Sequence, residues 1–299
     1  GLNLPGMGAS PLRQDIFLEY DWFDDSLDCS THSHRPTRNA VNLVTTAFGN
    51  SPVLNPDGTT GITFHNDRGQ GGFFTGGNFI DDADGVLTGG VNDAEFMSHK
   101  AANFAANREG YFHYVILPHR YNTNSGSSGQ AELPGDDLIV SLQCFTSDSN
   151  TSKTIMHELG HNLNIRHGGN SNCNYKPNYN SVMNYKYQFP GVDNDCTPSG
   201  DGVLDYSYGD RIVLNETELN ENLGICGSPE WDWNENSLIE SSVSFDINFS
   251  GNSTCGGILT VLTDHNDWGN LNLPALQDGD GKWITQEIIT CDNPAPAVP

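Results

Sequence analysis

Two histidines four residues apart, with a glutamate beside the first, constrain this chain more than any other feature: His157-Glu158-Leu159-Gly160-His161. The surrounding residues read as a helix. Asn150, Thr151 or Ser152 can cap it, and Ile155, Leu159 and Leu163 give it an apolar stripe. Helix positions i and i+4 project from one face, so both imidazoles can bind one metal ion. Zinc accepts neutral imidazole nitrogen, and a catalytic zinc uses three protein ligands so that a fourth position is left for water. His167, six residues after His161, is the third candidate ligand. Asn164 lies between them where the helix must break, and asparagine tolerates the left-handed backbone that turns a chain back sharply. Glu158 then points to one side of the metal, placed to take a proton from water instead of ligating. The bland alternative is three histidines satisfied by hydrogen bonds near a helix end. Even with 10 histidines in the chain, the full spacing would arise by chance in roughly one sequence in a few thousand, which argues against it.

The remaining composition narrows the setting. A chain of 299 residues can bury the core of one large domain or two modest ones. Its net charge of -25, from 13 Lys plus Arg against 38 Asp plus Glu, argues against binding to nucleic acid or an anionic membrane. Such a surface suits calcium or a saline medium, or serves solubility alone. No apolar run reaches the length of a membrane-spanning helix, so no membrane insertion is expected. The opening Gly-Leu-Asn has neither an initiator Met nor a signal-peptide core and reads as already processed. Seven cysteines without a CxxC pair favour disulfides over a thiolate metal site, and the odd count leaves one thiol over. With sequons at Asn150, Asn215, Asn248 and Asn252, this points to a secreted, extracellular protein.

Periodicity gives the organisation. Strands are expected at Ile16 to Phe23, Gly61 to Asn66, Tyr111 to Leu117 and Asp137 to Leu142. An amphipathic helix is expected from Pro36 to Phe48, and another towards Asn107 behind a capping box of Asn92 and Glu95. Beyond Gly168 the chain is irregular, with one short helical candidate at Glu216 to Asn222 and a frayed tail from Asn293. The domains are therefore placed at 1–168 and 169–299, with an unassigned extension after about Cys226.

The run HELGHNLNIRH resembles the zinc-binding signature of the metzincin clan of metallopeptidases, and Ser181-Val182-Met183-Asn184-Tyr185 resembles the clan's Met-turn. The resemblance implies an α+β, metzincin-like zincin fold: a twisted mixed sheet with a backing helix and an active-site helix, then an irregular carboxy-terminal subdomain. It also implies catalytic zinc on His157, His161 and His167, with Glu158 as base. Tyr185 matches a tyrosine that in astacin-like and serralysin-like enzymes stabilises the tetrahedral intermediate; the other reading is a packed tyrosine among Tyr175, Tyr179 and Tyr187. An edge strand at Ser128 to Leu133 would pair with extended substrate, and Lys186, Tyr187 and Phe189 fall where the S1′ wall is shaped. Asn164 stands where most of the clan has Gly. Gly168 stands where astacin-like enzymes have a Glu that binds the matured amino terminus, so burial of Gly1 is not implied.

Secondary signals are weaker. Asp232 to Glu240 resembles half of an EF-hand-type calcium loop, and Asp193, Asp195, Asp201 and Asp205 form an acidic cluster, as does Asp278-Gly279-Asp280-Gly281. Structural Ca2+ is expected at some of these. His32 and His34 alternate as for a second metal site, but the sequence shows no partner. The reading is a secreted, monomeric zinc endopeptidase acting on protein or peptide substrates. Its rivals are a secreted zinc-containing binding or adhesion protein of the same fold and a zinc hydrolase of non-peptide amides.

Overall fold

The computed structural model describes residues 1–23, 29–30, 32–144, 147–248, 253–273 and 287–294. The chain divides into two compact units, residues 1–164 with 272–299, and residues 165–271. Of the last stretch, the described residues 272–273 and 287–294 fall in the first unit.

A mixed sheet organises the first unit. Its strands are β1 (Gln14–Phe23), β2 (Ile62–Asp67) and β3 (Phe79–Ile80), then β5 (Phe112–Leu117), β7 (Ser127–Leu133), β8 (Asp137–Val140) and β11 (Glu287–Pro294). Short β4 (Val86–Leu87) and β6 (Arg120–Tyr121) form a separate parallel pair. The strand order is β11-β7-β8-β5-β1-β2, with β3 also on β1. Pairing is parallel from β8 to β2 and antiparallel for β7 with β8 and for β11 with β7. Helix α1 (Arg38–Gly49) packs on β2 and on α3 (Asp148–Asn162), and α3 packs on β7 and β8; α2 (Ala94–Asn103) lies in the same unit. Phe17, Phe23, Phe96, Phe112, Tyr114 and Ile139 form much of the core.

Central position explains why β1 reads as a near-continuous apolar run, since a parallel strand is covered on both faces. Its buried acids, Glu19 and Asp21, are held by charged or hydrogen-bonding neighbours. Arg108 pairs with both Glu19 and Asp67, and Asp21 accepts from Tyr114 Oη at 2.6 Å and from the Asn78 N–H at 2.7 Å.

Local capping differs from the sequence reading in two places. Helix α2 is capped at Asp93 and not by a capping box. Asn92 takes φ +68° and donates to Glu132 Oε1, while Glu95 accepts from the Thr88 N–H. Ser147 caps α3, accepting from the Asn150 N–H, so the helix starts ahead of all three residues expected to cap it.

The second unit carries α4 (Tyr185–Gln188) and the pair β9 (Leu214–Asn215) with β10 (Val261–Leu262). Leu214, Leu219, Ile225, Trp233, Ile247 and Leu262 make its core. In place of the expected helix at Glu216 to Asn222 stand a turn and the short 3-10 helix Glu221–Leu223, because its carboxylates are buried loop organisers. Glu216 accepts from the N–H groups of Ile247 and Thr260, and Glu221 from those of Trp233 and Glu240. Buried backbone donors must be satisfied, and here glutamates do what a ladder would otherwise do. Three disulfides are present: Cys29–Cys144 in the first unit, and Cys173–Cys255 and Cys196–Cys226 in the second. Among the described residues, no helix is long and apolar enough to cross a membrane.

Candidate metal centre

The first part of the site is built on α3. From Ser152 to Asn162 every residue of this helix is buried. Asn162 fixes its end by donating to the carbonyls of Glu132 and Asp137 at 3.0 and 3.1 Å, while its Oδ1 lies 3.0 Å from His113 Nδ1. Burial holds the His113 imidazole down to about 4, so it is neutral and donates to Asn162. Helix and sheet are thereby locked in register, and the His157 and His161 rings meet edge to face at 4.9 Å between centroids.

Both imidazoles face a residue that the sequence reading did not place. Cys291, on β11, lies with its Sγ 3.2 Å from His157 Nε2, 3.4 Å from His161 Nε2 and 3.3 Å from Glu158 Oε2. Cys291 is the cysteine outside the three disulfides and is fully buried. The odd cysteine count was the one available signal; the strand that carries it has no periodic pattern tying it to β7.

Glu158 is wholly buried, and its Oε1 has no hydrogen-bond partner among the described residues. Burial pushes its carboxyl well above the ordinary range, opposed by the hydrogen bond from Cys291. Leaving a buried carboxylate oxygen unsatisfied costs on the order of 1–3 kcal/mol or more. Two convergent imidazoles, a thiol and an orphaned carboxylate oxygen are a donor set that fits a soft divalent metal such as zinc.

The chain leaves α3 through Asn164, whose φ of +72° is the left-handed turn read from sequence. His167 and Tyr185 belong to the second unit, where their rings lie 4.4 Å apart at 50°. The loop carrying His167 is tightly braced. Arg166 and Gly169 exchange backbone hydrogen bonds, Gly168 N–H bonds the Ser171 carbonyl, and buried Lys176 donates to the carbonyls of Gly168 and Thr263. Met183 is fully buried after Ser181, and Asn184 caps α4 while donating to the carbonyls of Lys176 and Tyr179. Tyr187 is buried, with its hydroxyl donated to the Pro177 carbonyl at 2.6 Å.

Other sequence signals resolve variously. Asp193, Asp195 and Asp201 converge, although Asp193 already pairs with Arg211 at 2.7 Å. In the Asp232 loop the oxygens are turned onto their own backbone, Asp232 accepting from the N–H groups of Asn236 and Ser237. Asp278 to Gly281 lies outside the described residues. His34 does gain a partner, His119, with Nε2 and Nδ1 3.2 Å apart, whereas both His32 nitrogens face the carbonyls of Ser30 and Gln143. A cavity of about 510 Å³ in the first unit, lined by residues including Leu4, Ile16, Phe17, Tyr111 and Leu163, includes none of the expected site residues.

No family model and no curated protein matches the chain. Among solved structures it is similar to archaemetzincin from Methanopyrus kandleri, at 11% identity over 59% of this chain and 83% of that one, with a TM-score of 0.28. At that score the assignment of chemistry rests on the chain's own residues.

Proposed function

We propose that this protein is a secreted zinc-dependent endopeptidase that binds its metal through His157, His161 and His167. The observation that carries the reading is the convergence of both α3 imidazoles beside a buried Glu158 carboxylate, one oxygen of which has no hydrogen-bond partner among the described residues. His167 enters on sequence spacing, three residues beyond the Asn164 turn. When bound, zinc would supply Lewis-acid polarisation of a scissile carbonyl and lower the pKa of water. Glu158 takes the proton of the attacking water and returns it to the leaving amine. Tyr185 donates a hydrogen bond to the carbonyl oxygen as it gains charge. Substrates are protein or peptide chains, and the protein acts as a monomer. Secretion is supported by the three disulfides. Structural calcium is proposed at Asp193, Asp195 and Asp201 only.

Metal analysis paired with cleavage of a peptide library separates this reading from its rivals. One zinc per chain with chelator-sensitive cleavage is expected. Zinc without cleavage of any amide would favour a binding or adhesion protein, and hydrolysis confined to small non-peptide amides would favour the other hydrolase.

A further inference from the structure

The β7 strand, expected from sequence to be an open edge for substrate, is not an edge. β11 runs antiparallel along it, with Glu287 opposite Leu133, Ile289 opposite Ala131 and Cys291 opposite Gly129. Side chains reinforce the ladder: Gln130 Nε2 donates to Thr290 Oγ1 at 2.9 Å, and the Ser127 hydroxyl donates to the Cys291 carbonyl. An extended segment laid on a strand edge by main-chain hydrogen bonds is how many peptides are bound. At its centre, β11 brings the Cys291 sulfur to both imidazole nitrogens.

The distances suit a shared ion. Around a tetrahedral zinc, with Zn–S about 2.3 Å and Zn–N about 2.0–2.1 Å, sulfur and nitrogen ligands stand about 3.5 Å apart. Cys291 Sγ is 3.2 and 3.4 Å from the two Nε2 atoms. The same sulfur hydrogen-bonds Glu158, so it occupies the place where water must meet its base. Independently, Glu158 Oε1 is buried and has no hydrogen-bond partner among the described residues.

We infer that β11 is a built-in inhibitory strand: it occupies the β7 edge in place of an extended peptide substrate, and the Cys291 thiol, releasing its proton to solvent as the metal binds, takes as a thiolate the metal position meant for water. The inference rests on the proposed zinc site and adds its regulation. Turnover then requires β11 to leave β7, by displacement or by cleavage of the chain ahead of it.

The test uses the full-length chain loaded with cobalt or zinc. Cobalt substitution should give a near-ultraviolet sulfur-to-metal charge-transfer band that Cys291→Ser abolishes. The Cys291 thiol should resist an aromatic disulfide reagent until metal is chelated and β11 is loosened by Thr290→Pro, an exposed position on the strand. Peptide hydrolysis should rise roughly tenfold or more in both variants, because rate follows the fraction of open chains. A metal-loaded chain without the sulfur band, or with the band but no gain in rate in either variant, would overturn the inference while leaving the zinc site standing. A chain that takes up no metal would overturn the site and the inference together.

Discussion

Gly129 of β7 lies directly against Glu158 of α3: a β-carbon at position 129 would fall 2.3 Å from Glu158 Oε1 and 2.5 Å from the Ile139 carbonyl oxygen. Strand and helix approach so closely only because residue 129 has no side chain. The proposed base is therefore positioned by the sheet as well as by its own helix.

Gly129→Ala should consequently move either the carboxylate or the strand. Overpacking of this kind costs about 1–3 kcal/mol, and misplacing a catalytic group by about 1 Å can cost on the order of a hundredfold in rate. Thermal melting and peptide hydrolysis on zinc-loaded protein check both. Wild-type activity would show that the Glu158 position is not critical.

The buried acids of β1 give a pH prediction. Burial, outweighing attraction to Arg108, pushes the Glu19 carboxyl up to about 7, and burial pushes Asp21 up to about 6. A carboxyl with a folded pKa above its unfolded value of 4.5 binds more protons when folded, so its stabilisation is complete below that value and lost as pH rises to about 7. For Glu19 the loss is on the order of 3 kcal/mol. Melting temperature should fall across this window, and Glu19→Gln should flatten the slope, with Arg108 still paired to Asp67. An equal slope in the variant would show that Glu19 does not titrate there.

Tyr185 tests the oxyanion role. Tyr185→Phe removes only the hydroxyl, and losing one transition-state donor costs about two to three orders of magnitude in kcat with KM little changed. Its ring contact with His167 is kept, so zinc content should not move. Unchanged kcat would assign Tyr185 to packing alone.

Calcium should raise the melting temperature of calcium-depleted, zinc-retaining protein more than magnesium does, since a ligand of the folded state stabilises it by mass action. Asp195→Asn with Asp201→Asn should remove the difference. No calcium-specific rise in the parent chain would remove calcium from the account.

Legibility from sequence followed the source of order. The strands β1, β2, β5 and β8 and helix α1 are apolar runs or stripes that pack on a neighbour, and all were readable to within a few residues. The α3 turn at Asn164 was readable because few residues besides glycine accept its backbone. The start of α3 was not, since its first turn, Asp148-Ser149-Asn150, has no apolar stripe to mark it. The second unit was opaque because buried Glu216 and Glu221 organise its loops through backbone donors, which leaves no period in the sequence. Cys291 could be counted but not placed: its partner strand, β7, lies far away in the chain.

Glu158→Gln, measured for zinc content and peptide hydrolysis in both the native and the Cys291→Ser chain, tests the central claim most directly. The amide keeps the shape of the carboxylate but cannot take a proton from water. The account predicts one zinc per chain, as in the parent, with hydrolysis lost in both backgrounds. Substantial turnover by zinc-loaded Glu158→Gln would contradict it.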